Sequence, residues 1–412
     1  MKVDVAIIGS GPAGLAASIV LAQSGLSVAI IDEYYRPGGR LLGQLYDDPH
    51  APLNQRRWDG KKIAAELVEQ ASKLQVAILC GVTAWSVSPG WHIELSGSKE
   101  KSVYAKALLL ATGAAEKALP MPGWTLPGVV SVGAAQTFTN VHHVAIGKRV
   151  MVVGIDPLAL SVALEMKHAG IDVVGVAMAP RSPMTEKLSS PIQALSQLAD
   201  AAALAPHPLL RTMGRLVAGS LSKVAVHALC LPLLQVEGIP VHIRKAVTKI
   251  EGEQSVEAVI LQAVSAKGEL TGREERVEVD AVCLSAGLYP LIELAQVAGC
   301  SLTHIPELGG MVPLYGKDLS TTADGLFVAG NITGIEGAKV AMAQGKLAAV
   351  SIVQTLGKTP SITKEEAIQA VEQARALSPI RFLPQVQQGL AKMEQLWREA
   401  WLQKEGEQAW RM

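Results

Sequence analysis

The sequence predicts an α/β protein in which a strand–turn–helix–strand plan occurs twice and is followed by a helical C-terminal tail. Three observations carry this. A β-branched run at residues 3–8 meets the glycine turn Gly9-Ser10-Gly11-Pro12-Ala13-Gly14 and then a helical pattern to about Ser24. The same order restarts at Arg149, and beyond Lys358 the chain has charged helical periodicity with no strand pattern. At 412 residues the chain exceeds the ~250–300 residues at which one core usually stops growing, so two domains or an insertion are expected. Hydrophobic residues at 49% against 18% charged exclude a disordered chain. The 37 basic and 37 acidic residues cancel, and no basic stripe favours nucleic acid or an anionic membrane surface.

Residues 27–32 supply the second strand of the first βαβ unit. Residues 61–74 read as a helix, 76–87 and 91–96 as strands, and 107–111 as a buried strand ending at Thr112-Gly113. Proline and glycine crowd between Pro120 and Gly128 and mark a crossover. The second unit runs from Arg149 through a helix to about His168 and a strand at 171–177. Residues 206–237 read as mainly helical, 239–250 and 255–263 as strands, 278–285 as a buried strand, and 324–330 as another. That last strand leads into a helix from about Gly337 to Leu356. The apolar stretch after Asp4 is broken by glycines, and residues 224–235 fall short of the ~20 residues of a spanning helix. No membrane span and a cytoplasmic location are therefore expected.

The first glycine turn has the spacing of a dinucleotide fingerprint. Gly9 permits the tight turn, Gly11 lets backbone approach a pyrophosphate, Gly14 lets helix and strand pack closely, and the helix N-terminus, opened by Pro12 and Ala13, supplies N–H groups to the anion from Ala13 onward. Asp32 and Glu33 end the next strand, where a carboxylate can accept both ribose hydroxyls; Glu33 is the preferred acceptor and Asp32 the alternative. Three further segments point to FAD. Pro37-Gly38-Gly39-Arg40 leaves room for a flavin ring, with Arg40 and Gln44 within reach of it. Arg40 there would stabilise an anionic reduced flavin, or would form a surface ion pair. Ala111-Thr112-Gly113 ends a buried strand where backbone passes the cofactor, and Val82 joins the candidates lining the site. Thr321 to Gly334 resembles a second FAD motif, with Gly330 and Asn331 beside the ribityl chain and Gly337 and Ala338 opening a helix toward the flavin. No metal site is expected, and no catalytic residue can be named.

The series GSGPAG, PGGR, ATGAAEKALPMPGWTLPGVVSVGAAQ and DGLFVAGNITG resembles the FAD- and NAD-binding subunits of heteromeric amino-acid and opine dehydrogenases. Relatives of this kind include the opine oxidase A-type chain, the alpha subunits of proline, hydroxyproline and sarcosine oxidising enzymes, and the middle subunit of hydrogen cyanide synthase. The resemblance covers residues 1 to about 355, and its least generic part is Ala111 to Gln136. It implies a two-dinucleotide-binding-domain flavoprotein with a Rossmann-like FAD domain and an inserted NAD(P)-type domain. The expected boundaries are 1–117 for the first part of the FAD domain, 118–279 for the insertion, 280–357 for the second part, and 358–412 for the tail. It further implies an FAD-dependent oxidoreductase acting on an amino acid, opine or related amine, which a partner subunit could bind. The implied partners are a second flavoprotein subunit together with a small iron–sulfur subunit.

Departures from that pattern sharpen the expectations. The second turn reads Gly154-Ile155-Asp156-Pro157-Leu158-Ala159, where Asp156 either repels a pyrophosphate or serves as a helix N-cap. Asn331 replaces an aspartate, and FAD retention is still expected. Cys80, Cys230, Cys283 and Cys300 form no C-x-x-C pair, which argues against a disulfide reductase and places any iron–sulfur centre on a partner. His142-His143 reads as structural unless it faces the flavin. Lys339 is open between flavin contact and ion pairing, and Leu390, Met393, Trp397 and Trp401 form a stripe that packs back on the chain or meets a partner. A free-standing NAD(P)H-dependent flavin oxidoreductase and a non-catalytic FAD-containing scaffold are the alternatives.

Overall fold

The computed structural model describes residues 1–48, 51–52, 56–182, 185, 189–195, 234–378 and 382–409. Five parallel strands form the first sheet in the order Leu326–Val328, Ala107–Leu110, Val5–Ile8, Val28–Asp32 and Ala77–Cys80. The three inner strands are unbroken apolar runs because helices or loops cover both faces, the setting that parallel strands require. Helix α1 (Pro12–Gln23) has no polar face: Ala13 through Leu21 are all buried. One side of it meets the sheet and the other a long later helix. Helix α2 (Gly60–Lys73) is amphipathic and starts on the side chain of Asp59, which accepts from the Lys62 amide at 3.1 Å. An antiparallel meander, Thr83–Ser88, His92–Ser96 and Ser102–Tyr104, completes the N-terminal part of this lobe.

The second sheet runs in the order Val129–Ser131, Ala281–Leu284, Arg149–Val153, Asp172–Met178, Ile239–Glu251, Ala258–Val264 and Leu270–Glu278. Its first five strands are parallel and the last two antiparallel. Helix α3 (Val132–Gln136) continues into a π-helical turn, Thr137–His142, and helix α4 (Pro157–His168) follows the second glycine turn. The strand Ala281–Leu284 lies inside this sheet, hydrogen-bonded on both sides. The expected return to the first domain at residue 280 is therefore corrected: the chain goes back along the antiparallel ribbon of Ala114–Glu116 with Leu288–Pro290. A second correction concerns residues 206–237. Gln235–Val236 is extended and pairs with Ile239–Pro240 rather than helical, and residues 206–233 lie outside the described residues.

After the short helix α5 (Glu293–Val297), helix α6 (Ala338–Thr355) packs across α1 so closely that a Cβ at Gly345 would stand 2.1 Å from the Ala13 carbonyl oxygen. Helix α7 (Lys364–Ala376) begins with a capping box between Thr363 and Glu366 and buries Ala367 and Val371 against the first core. Helix α8 (Val386–Ala409) turns Leu390, Met393 and Trp397 onto the same core. Trp397 reaches the backbone at Gly316, where a Cβ would approach its indole to 2.8 Å. Of the two readings of the tail stripe, packing back on the chain holds for these three; the Trp401 side chain lies outside the described atoms. No helix among the described residues is long and apolar enough to cross a membrane.

Candidate functional site

A cleft of about 950 Å³ opens where the first sheet's strands end at their carboxyl side, and the second lobe forms its far wall. This is where an open parallel sheet gathers the loops that follow its strands. The first turn is built around contact between backbones. Gly9 adopts φ +107°, and a Cβ on it would fall 2.3 Å from the Ala111 carbonyl oxygen. A Cβ on Gly14 would fall 2.0 Å from the Gly9 oxygen, whereas at Gly11 nothing lies within 4 Å. Gly14 is thus a packing position behind the wall, and Gly11 faces open space. Gly11 is also the N-cap of α1 and offers no side chain to its first amides. Pro12 brings no N–H, so the first donor of α1 is the Ala13 amide at the cleft wall, uncapped from the N-cap position, and that arrangement fits a pyrophosphate.

The two acids at the end of Val28–Asp32 have different surroundings. Asp32 Oδ2 accepts from the Ser10 amide and hydroxyl, both at 2.6 Å, and Oδ1 accepts from the Tyr34 amide at 2.8 Å. Oδ2 therefore holds the glycine turn in shape and Oδ1 the loop that follows the strand. Glu33 is exposed on the cleft wall, and no donor among the described residues reaches its carboxylate. Gly38 donates to the Ser10 carbonyl at 2.9 Å, and a Cβ on Gly39 would come within 3.0 Å of the Gly11 Cα, so the PGG turn presses against the first one. Arg40 is accessible inside the cleft yet crowded by protein. Its Nε donates to the Ala114 carbonyl at 3.2 Å, and desolvation pushes its pKa down against the opposing charge of Glu116.

The remaining candidates divide. Pro12, Ala13, Ala111, Thr112, Gly113, Gln44, Gly330, Asn331, Gly337 and Ala338 all line the cleft. Thr112 is anchored through its hydroxyl to the Leu291 carbonyl at 2.7 Å, and Gln44 accepts from the Trp58 indole at 3.2 Å. The Asn331 amide oxygen accepts from the Glu336 amide at 3.2 Å, so it shapes the loop before α6. Val82 is buried in the first core, its amide bonded to the Asp32 carbonyl at 3.0 Å, while its neighbour Thr83 lines the cleft. Lys339 is committed to an ion pair with the buried Asp48 and lies 5.4 Å from the Trp58 ring centre. His142 does line the cleft, 3.4 Å from the Tyr34 hydroxyl, while His143 contacts Lys61 at 3.2 Å. The Pro122-Gly123-Trp124 segment is structural: a Cβ on Gly123 would fall 2.1 Å from the Ile250 carbonyl oxygen of the second sheet.

In the second lobe Asp156 is buried and turned inward. Its Oδ1 caps α4 by accepting from the Ala159 amide at 2.9 Å, and its Oδ2 accepts from the Ser285 hydroxyl at 2.5 Å. Desolvation raises its pKa, opposed first by the Ser285 bond. Of the two readings of this residue, the N-cap is the one observed. The first turn of α1 is uncapped and the corresponding turn of α4 carries its own side-chain acceptor.

Sequence reasoning missed the polar cluster of the far wall. Gln136, Ser161 and Glu165 line the cleft, and Glu165 is buried. The signal was present in α4, where Ser161 and Glu165 stand four residues apart in a stretch that is apolar up to its basic last turn. Among the described residues no cysteine lines the cleft; Cys283 and Cys300 are buried, and burial pushes both thiols up. No cluster of metal ligands occurs among the described residues.

Fold and cleft together define a two-lobed dinucleotide-binding flavoprotein. The chain belongs to the pyridine nucleotide-disulphide oxidoreductase family, whose sequence pattern matches residues 3–345. FAD is the cofactor of that family, and the open first turn with its uncapped amides accommodates it. The chain is 28% identical to the A-type chain of opine oxidase from Agrobacterium tumefaciens, over 89% of this chain and 68% of that one. It is 25% identical to hydrogen cyanide synthase subunit HcnB of Pseudomonas protegens, over 90% of this chain and 73% of that one. Among solved structures, L-proline dehydrogenase from P. horikoshii superposes with a TM-score of 0.64 at 22% identity, covering 90% of this chain and 59% of that one. Both sequence relatives are, by name, subunits.

Proposed function

We propose that this chain is the FAD-carrying subunit of a heteromeric dehydrogenase that oxidises an amino acid, opine or related amine and passes electrons to a partner. The observation that carries the reading is the contrast between the two glycine turns. At α1 the first amides face a cleft and have no internal acceptor, whereas at α4 the Asp156 carboxylate already occupies them. A pyrophosphate there would have to displace a buried carboxyl that already accepts from the Ala159 amide and the Ser285 hydroxyl. Pyridine nucleotide is then excluded from the second lobe, and electrons enter or leave through a partner, as befits a relative of named subunits. FAD supplies the acceptor of hydride or electrons. Gly9, Gly11 and the start of α1 hold its pyrophosphate, Glu33 its ribose, and the turn at Gly39 and Arg40, with Asn331, Gly337 and Ala338, encloses its flavin end. With no cysteine among the described residues of the cleft, the chain has no dithiol for disulfide exchange there.

The test is purification of the native assembly, followed by its visible spectrum and anaerobic mixing with NADH or NADPH. A yellow complex with additional subunits, unbleached by either nucleotide and bleached by an amine substrate, is expected. Rapid bleaching of the isolated chain by NADH would instead make it a free-standing flavin oxidoreductase.

A further inference from the structure

The far wall of the cleft holds a carboxylate that the proposed cofactor contacts leave unused. Glu165 is 8% exposed and is surrounded by donors. Gln136 Nε2 lies 3.2 and 3.0 Å from its two oxygens, Asn140 Nδ2 lies 2.7 Å from Oε2, and the Ser161 hydroxyl lies 3.2 Å from Oε1. Asn140 Nδ2 also donates to the Gly43 carbonyl at 2.7 Å. That bond fixes the orientation of the Asn140 amide and ties the second lobe to the turn after Arg40. The charged group acting on Glu165 is Arg57, which also meets Asp47 at 3.3 Å. Its partners on α3, on the π-helical turn and on α4 are neutral.

Two opposing effects meet at this carboxyl. Burial favours the neutral acid, while the donors and Arg57 favour the anion; burial prevails and pushes the group up to about 7. Of its partners, the Ser161 hydroxyl can turn from donor to acceptor by rotating in place, so a protonated Glu165 keeps a partner without any amide having to flip. Ser161 and Glu165 both line the cleft, which gives the proton a path. We propose that Glu165, with Ser161 as its hydroxyl partner, is the proton-exchanging group of the cleft, binding a proton when negative charge is placed there and releasing it when that charge leaves. The inference deepens the reading of the cleft as an FAD site, because a reduced flavin adds such charge and raises the proton affinity of a neighbouring carboxyl. The proton comes from solvent, and the carboxylate becomes a neutral acid with no other bond made or broken.

Infrared difference spectra of the apoprotein between about pH 5 and 9 test the titration without any cofactor. A carboxyl band that appears on acidification near neutrality, is absent in Glu165→Gln, and moves upward by about one pH unit in Gln136→Met, where donors to the anion are lost, is expected. In the flavin-loaded protein, electrochemical reduction at about pH 8 should take up as much as about one more proton per flavin in wild type than in Glu165→Gln. A wild-type carboxyl that does not titrate in this range, or equal proton uptake by the two proteins, overturns the inference. If the protein takes up no flavin, the proposed function falls and the apoprotein titration alone decides for or against Glu165.

Discussion

Asp32 and Glu33, adjacent at the end of one strand, carry different loads, and the difference is testable. Asp32 spends both oxygens on Ser10 and Tyr34, so Asp32→Asn turns an amide toward donors and leaves one unsatisfied. A loss of about 1–3 kcal/mol in apoprotein stability, read by urea denaturation, is expected. Glu33→Gln removes an exposed acceptor for a ligand, so FAD affinity should fall about tenfold at unchanged stability, equivalent to about 1.4 kcal/mol. The glycines split the same way. At Gly11 a methyl meets no protein atom and projects into the cleft, so Gly11→Ala weakens FAD binding while costing the fold under about 1 kcal/mol. At Gly14 it strikes the Gly9 carbonyl, and Gly14→Ala destabilises the apoprotein by about 1–3 kcal/mol. Equal thermal shifts in the two variants would contradict the assignment. The spacing alone located these positions to within one residue. It preferred Glu33 to Asp32 as the ribose acceptor, but could not show what engages Asp32, because that depends on where the Ser10 amide and hydroxyl point once the turn has folded.

Elements follow the same rule: local pattern finds them, and long-range pairing decides what they do. The strands Val5–Ile8, Ala107–Leu110 and Arg149–Val153 were legible because burial on both faces leaves an unbroken apolar run. Leu270–Glu278 was not, since its residues are almost all exposed and five of the nine are charged, and the π-helical turn carries no periodic signal. Ala281–Leu284 is legible as a strand, yet its pattern points to the wrong lobe, because two buried runs look alike in sequence and only pairing with Val129–Ser131 and Arg149–Val153 separates them. In α4 the Ser161 and Glu165 pair is a visible interruption of an apolar face, and it has a consequence for stability. The Glu165 carboxyl rises from 4.5 to about 7 on folding, so the folded state binds its proton more tightly than the unfolded chain. The stability from that proton is whole below about pH 4.5 and is lost as pH rises through about 7. Relative to Glu165→Gln, which does not titrate, wild type should lose on the order of 3 kcal/mol between those limits. Denaturant melts at a series of pH values, wild type minus variant, give the slope; a flat difference refutes the buried, proton-binding state.

For the whole molecule, the tail decides whether residues 358–409 are a partner's handle or part of the core. Periodicity predicted a stripe on this segment but not its occupant, since a covered face reads identically whether the cover is the same chain or another. The structure places α7 and α8 over the outer side of the first lobe: Ala367, Val371 and Met393 are at most 4% exposed. Leu308, part of the same core, packs at Gly389 of α8, where a Cβ would come within 2.8 Å of it. Ion pairs then fasten the arm: Arg375 to Glu336 at 2.9 Å, Lys364 to Asp318 at 3.0 Å and Lys317 to Glu394 at 3.0 Å. Glu336 also lines the FAD cleft, so the arm braces the loop that opens α6 toward the cofactor. A chain ending at Gly357 would strip this cover, exposing apolar surface at about 25 cal/mol per Å² and leaving Glu336 without its guanidinium. It should therefore aggregate or lose FAD even in the absence of any partner. Recovery of a monomeric, yellow truncated chain with unchanged melting temperature would show that the arm serves assembly alone, and Arg375→Met in the full chain, which cuts the brace but keeps the apolar cover, should lower FAD affinity without aggregation.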